Sequence, residues 1–424
     1  MVRYRLSILA PALLLATLSM GAATVDTSTR LIDERTKTLT FSYSDTAEPT
    51  VGVPVLTLGY GQGFVAGFDR LTEDREYLRY ELTHCDRDWQ PSTIAYPEYL
   101  DGFNEGRVPD GEFSNATSVH YVHYAIPFPL EEMSPKVSGN YLVRVYSEDE
   151  PETTLLQFRF VVSEQTADIA ATVTSRTDID FNRRHQQVSA EIDVDRADVR
   201  DLFNDLALVA EQNGRPDTRV TITKPLRVSG KRLYYEHLSP LIFRAGNNYR
   251  RFESISTVYP GMGVEAVTYN PPYYTAWLAT DATRSGQSFT TDLNLAGGYV
   301  VREYNSDDSD VDADYVVTRF TLDYPEAIDI DIYIDSEWTQ RQLDASTRMR
   351  YNPETRRYEL TRLLKQGAYS YQYLAVPRGT HAGRTADIEG DYFETPNTYR
   401  LYLYHRRPGE RYDRLVGVTT LNLQ

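Results

Sequence analysis

Apolar and polar residues alternate with a period of two along most of this chain, the signature of half-buried β-strands. Lys37 to Tyr43 (KTLTFSY) alternates cleanly. So does the stretch in which Leu78, Tyr80, Leu82 and His84 interleave with Tyr77, Arg79, Glu81 and Thr83. The clearest case sets Ile328, Ile330, Ile332 and Ile334 against Asp329, Asp331, Tyr333 and Asp335. Further strands are expected at His120 to Ala125, Tyr141 to Tyr146, Leu155 to Val162, Asp168 to Thr174, Val188 to Val194, Tyr315 to Leu322, Gly367 to Ala375 and Tyr399 to Tyr404. Turn signals separate them, among them Ser138-Gly139-Asn140 and Asn213-Gly214. No window sustains a helical stripe over three turns, and only Asp198 to Phe203 allows a short helix or a bulky turn. No short fixed-period repeat occurs, which argues against a propeller or solenoid.

The fold expected is all-β, with tandem immunoglobulin- or fibronectin-like β-sandwich domains. The chain divides into residues 24–165, 166–311 and 312–424, with the middle segment the least regular. Residues 1–23 precede the first domain and read as an export signal: Arg3 and Arg5, then an apolar run from Leu6 to Leu18, then Gly21-Ala22-Ala23. That run is too short to span a bilayer, and no later apolar run approaches the ~20 residues a spanning helix needs. No cysteine follows it for lipid attachment.

One stretch stands out. Between Glu76 and Glu105 a strand runs into a long aromatic loop, EYLRYELTHCDRDWQPSTIAYPEYLDGFNE. His84-Cys85-Asp86, Asp88-Trp89, Glu98-Tyr99-Leu100 and Gly102-Phe103 follow one another in a distinctive order. His123-Tyr124, Ser138-Gly139-Asn140-Tyr141, Asn213, the run from Phe243 to Phe252, the run from Lys365 to Tyr373 and Ile388-Glu389-Gly390 continue the series. Taken in order, these motifs resemble the plug proteins of the type 9 secretion system. The resemblance implies a periplasmic protein at the mouth of an outer-membrane translocon barrel. Within the last segment, Trp338 followed by a turn and Lys365 to Tyr371 resembles the early-set immunoglobulin-like modules that include glycogen-binding domains. That likeness concerns fold and does not carry sugar binding with it.

Charge narrows the partners. The formal net charge is −17, and removing the signal's two arginines takes it to −19. Such a chain repels nucleic acid and anionic membrane surfaces, so neither nucleic-acid binding nor membrane insertion is expected. The single cysteine, Cys85, precludes an intramolecular disulfide. His84 lies beside it, but strand neighbours point to opposite faces, so a catalytic pair is not expected.

Other candidate chemistry has a plainer reading in each case. The acidic run Asp307 to Asp314 offers oxygens for calcium, yet lacks the glycine and closing glutamate of an EF-hand loop, and reads as a solvated loop. Asp329, Asp331 and Asp335 share one strand face at a spacing that paired carboxylates use in glycoside hydrolysis, but an exposed polar face is the ordinary use of such alternation, and a hydrolase site sits at a strand end in a cleft. His120 and His123 fall on opposite strand faces with no cysteine near, which disfavours zinc. Gly59-Tyr60-Gly61-Gln62-Gly63 lacks a following helix and reads as a turn. No metal, cofactor or catalytic residue is expected.

Two functions remain. The first is a non-enzymatic plug, a rigid rod of domains that occludes the empty translocon pore until cargo displaces it. Trp89, Tyr96, Tyr99 and Phe103, clustered in one loop, are its candidate contacts, since Trp and Tyr are enriched at binding hot spots. Core packing is the competing use of such rings. The second is a polysaccharide-binding or -processing protein, supported by the last segment's resemblance and by the 33 tyrosines.

Overall fold

The computed structural model describes residues 25–44, 52–59, 61–130, 132–292 and 295–423. The expected export signal at 1–23 and Tyr60 lie outside these residues. Nearly all the regular secondary structure of the described residues is strand, arranged as three β-sandwiches with separate cores. Its only α-helices among the described residues are the single turns Tyr96–Tyr99 and Ser309–Asp312, and Asp198 to Phe203 is a turn.

The first sandwich packs a sheet ordered Arg30–Leu31, Thr154–Ser163, Gly139–Ser147, Leu78–Cys85, Gly106–Arg107 against one ordered Thr36–Tyr43, Phe64–Arg70, Val122–Phe128, Glu112–Phe113. Val55–Thr57 adds in parallel to Thr154–Ser163. Alternation does what it should here: Leu78, Tyr80 and Leu82 face the core, where they meet Phe64, Phe128, Phe158 and Phe160. Residues along Gly139–Ser147 and Thr154–Ser163 are buried on both faces, because the outer side of that sheet is covered by the second domain.

The second sandwich is discontinuous, which corrects the expected boundaries. Asp168–Thr174, His185–Asp193, Arg232–Tyr235 and Arg227–Ser229 form one sheet. The other is ordered Val220–Ile222, Leu206–Gln212, Thr398–His405, Arg414–Asn422, so the chain's last strands belong to this domain. Tyr399, Leu401 and Leu403 point into its core. The third sandwich is inserted between these halves. Its strands Arg250–Ser254, Val264–Asn270, Tyr273–Leu278 and Tyr299–Val301, expected in the second domain, share a core with Tyr315–Asp323, Ile330–Asp335, Arg357–Lys365 and Gly367–Pro377. The border at 311/312 therefore cuts through one domain, and the segment 312–424 holds parts of two. Local periodicity marks a strand but not its distant partner, so an insertion leaves no trace in alternation.

The isoleucine strand also starts later than its pattern suggests. It spans Ile330–Asp335, and Ile328 is left 77% exposed.

The segments entering and leaving the inserted domain are stitched together. Asn397 donates from Nδ2 to the carbonyl of Ala245 at 2.6 Å, and the Tyr392 amide donates to the carbonyl of Gly246 at 2.8 Å. Gly246 sits at a φ of +63°, where a side chain would be strained.

Candidate interaction surface and the interdomain clasps

The motif residues of the sequence converge on the seams between domains. Trp89 takes a φ of +65°, rare for a side chain, in the turn after Leu78–Cys85. This turn drives its ring into a small core shared with Val209, Tyr402, Tyr404 and Leu415 of the second domain, where it is only 5% exposed. The Arg159 guanidinium lies 4.4 Å from the ring centroid, a cation–π contact. Polar bonds frame that apolar patch. Tyr404 Oη meets Asn140 Oδ1 at 2.8 Å, Arg87 Nη1 donates to Asp413 at 2.9 Å, and Arg406 Nη1 donates to Asp86 at 3.1 Å. Ser138 Oγ accepts from the Leu415 amide at 3.1 Å.

A second clasp joins the first and third domains. Asp69, fully buried, accepts from Lys365 Nζ and from Tyr315 Oη, each at 2.6 Å, and pairs with His123 Nδ1 at 2.7 Å. Burial alone would raise the Asp69 pKa; Lys365, then His123, outweigh it and hold the carboxyl below its ordinary value. Lys365 Nζ also lies 4.1 Å from the ring centroid of Tyr121.

The acidic run Asp307 to Asp314 belongs to this clasp. Asp314 is buried and accepts the amides of Ser118 and Val119 at 2.8 and 3.1 Å. Tyr121 Oη donates to the carbonyl of Ala313 at 2.8 Å. The loop is a docking element where a solvated loop was expected, and no group of acidic, His or Cys side chains able to hold a metal occurs among the described residues.

The strand carboxylates are likewise committed. Asp335 is buried and accepts from Arg341 Nη1 at 2.9 Å and Gln372 Nε2 at 2.8 Å, so it does not lie on an exposed face. Asp331 lies 3.7 Å from both Arg348 and Arg378.

Cys85 is buried, and burial pushes its thiol up to about 12. His84 is enclosed by the rings of Tyr99, Tyr141 and Tyr412 and bonds Ser92 Oγ at 2.8 Å through Nδ1. Burial pushes its pKa down to about 4. Neither residue is placed for catalysis.

Of the candidate contacts, two are internal. Trp89 holds domains together, and Tyr99 is a core residue whose hydroxyl donates to the carbonyl of Leu82 at 2.9 Å. In both, the competing core-packing use is the one this chain makes of the ring, because the loop folds back under the seam. Tyr96 and Phe103 do reach the surface, Phe103 at 79% exposure. Tyr96 opens the helical turn Tyr96–Tyr99, and Phe103 follows Leu100–Gly102, which pairs with Met133–Pro135. In the third domain, Tyr259, Tyr269, Tyr273 and Trp277 are also exposed.

Residues 36–164 match the family model described as type 9 secretion system plug protein 1st domain. The crystal structure of a hypothetical protein from Parabacteroides merdae superposes with a TM-score of 0.92 at 36% sequence identity, covering 94% of this chain and all of that one. No curated protein matches the chain.

Proposed function

The chain belongs to the type 9 secretion system plug protein family, and from that premise we propose that it is a periplasmic, non-enzymatic stopper. It seats against the translocon barrel of that system at the outer membrane and occludes the empty pore until cargo displaces it. No helix among the described residues is long and apolar enough to cross a membrane, which fits a body that docks from outside the bilayer.

The observation that supports this reading is the pair of clasps. The first domain is fastened to the second through Trp89 and to the third through Asp69, while the third is inserted into the second. Three sandwiches so joined make a compact block in place of the expected rod. A block that must stop a wide pore gains from not flexing. Tyr96 and Phe103 are its proposed contacts, rings that can bury large area on a partner at small entropic cost.

Purification of the tagged chain in mild detergent from its own cells tests this. The barrel should co-purify, and Phe103→Asp combined with Tyr96→Asp should reduce it. Deleting the chain should admit a bulky antibiotic through the outer membrane. Unchanged permeability would refute the stopper.

The polysaccharide reading has less support. Trp277 carries the Arg319 guanidinium 4.5 Å from its ring centroid, and Tyr269 and Tyr274 are tilted by 41°. Sugar platforms need free, coplanar ring faces. A glycan array is expected to show no retention.

A further inference from the structure

A cleft of about 550 Å3 opens between the first and third domains, beside the Asp69 clasp. Its size and its place at a domain interface are those of small-molecule sites. Leu31, Leu71, Leu363 and Trp338 give it apolar walls.

Three cations also line it, Lys37 from the first domain and Arg362 and Lys365 from the third, beside the carboxylates Asp33 and Glu34. Arg362 is half-buried on the strand Arg357–Lys365, and its guanidinium has no hydrogen bond, close ion pair or ring contact among the described residues. Three of the four acids around it are bonded by other cations. Asp344, the one that acts on it, is bonded by Arg30 at 3.3 Å; Asp33 is bonded by Arg70 at 2.5 Å; Asp69 holds Lys365. Glu34 is exposed, and its carbonyl accepts from Lys37 Nζ. Burial, then repulsion from Arg362, pushes the Lys37 pKa down, and burial pushes Arg362 down.

The backbone next to Lys37 is specially shaped. A bulge interrupts the pairing of Thr36–Tyr43 with Phe64–Arg70 between Lys37 and Thr40, and Thr38 sits there at a φ of +55°. For a β-branched residue this is strained. Its hydroxyl is held 2.6 Å from Tyr315 Oη, which in turn donates to Asp69. Bulges of this kind re-aim side chains beside functional sites. An acidic protein has thus gathered cations in a cleft with partly apolar walls and left the Arg362 guanidinium, among the described residues, without a hydrogen bond or close ion pair, its donors open to an anion's oxygens.

We propose that this cleft binds an anionic amphiphile, with its carboxylate or phosphate head on Arg362 and Lys37 and its apolar body along Leu31, Leu71 and Leu363. The guanidinium fork suits either head group. This site is separate from the proposed barrel contacts at Tyr96 and Phe103, so either can fail alone.

Calorimetric titration of the full chain with octyl phosphate, octanoate, inorganic phosphate and octyl glucoside tests the site. At least one of the two octyl anions should bind, and the better one identifies the head group. Arg362→Gln should weaken it about tenfold or more, since a charge-assisted bond is lost. The same variant, without ligand, should melt no lower than wild type, because it removes an unpaired charge. Should it fail to fold, Lys37→Met carries the same test. Absence of binding by both octyl anions, equal binding of octyl glucoside, equal binding of inorganic phosphate, or unchanged affinity in the folded variant would each overturn the proposal.

Discussion

Asp69 and Lys365 stand 296 positions apart in the chain and meet at 2.6 Å, both buried, across the seam between the first and third domains. A pair so placed stabilises little relative to an apolar contact of equal volume, but breaking it is expensive. Asp69→Asn leaves Lys365 charged and buried, so a loss of about 3–5 kcal/mol in urea denaturation at pH 7 is expected. The folded pKa of Asp69 is depressed, so its contribution is present above the ordinary carboxylate value. It disappears as pH falls through the folded value. The gap between wild type and variant should therefore narrow in acid, below about pH 4.

Trp89 and Phe103 separate packing from surface exposure. Trp89→Ala opens a cavity at the seam with the second domain, and about 3–5 kcal/mol should be lost. Phe103→Ala should stay within about 0.5 kcal/mol of wild type. Thermal denaturation of the two variants side by side checks the contrast. Equal melting temperatures would contradict the burial of Trp89.

His84 should give the protein a second acid-sensitive window. Its folded pKa, about 4, lies below the ordinary histidine value, so the unfolded chain binds the extra proton first. Stability is unaffected above about pH 6.5 and falls from there down to the folded value, by about 3 kcal/mol in total. His84→Gln should flatten this fall, read from denaturation midpoints between those limits. An imidazole NMR titration should find the ring neutral at pH 5.

Cys85 should be unreactive. With its thiol pushed up to about 12 and its side chain buried, Ellman's reagent should label it only after denaturant is added. Fast labelling of the native protein would show that the Trp89 seam opens.

Much of the architecture was legible because alternation reports burial directly. Leu78–Cys85 and Thr154–Ser163 appear where their patterns put them, and the sandwich class follows from strands separated by turns. The ordered motifs led to the family, and the structure adds what those residues do. His84, Asp86, Trp89, Asn140 and Lys365 lie at or beside the domain seams. What the pattern could not carry was partnership at long range. Thr398–His405 reads as a strand of whatever precedes it, and only its pairing with Leu206–Gln212 reveals the insertion. Ile328 misleads for a related reason: alternation persists one step beyond the point where the strand stops pairing. For Trp89 and Tyr99 the sequence left contact and core packing both open, because a loop's fold-back depends on the distant segment it meets.

Inserting one sandwich inside another also sets an order of events. The sheet holding Leu206–Gln212 stays unfinished until Thr398–His405 and Arg414–Asn422 arrive. For a chain emerging amino end first, the middle module must wait, its edge bare, while the inserted one assembles ahead of it. The seam that receives Trp89 waits as well, because Tyr402, Tyr404 and Leu415 come from those same late strands. A chain cut after Asp391 would keep every strand of its inserted module, lose half of one sheet in the module around it, and leave the first without its neighbour's anchor.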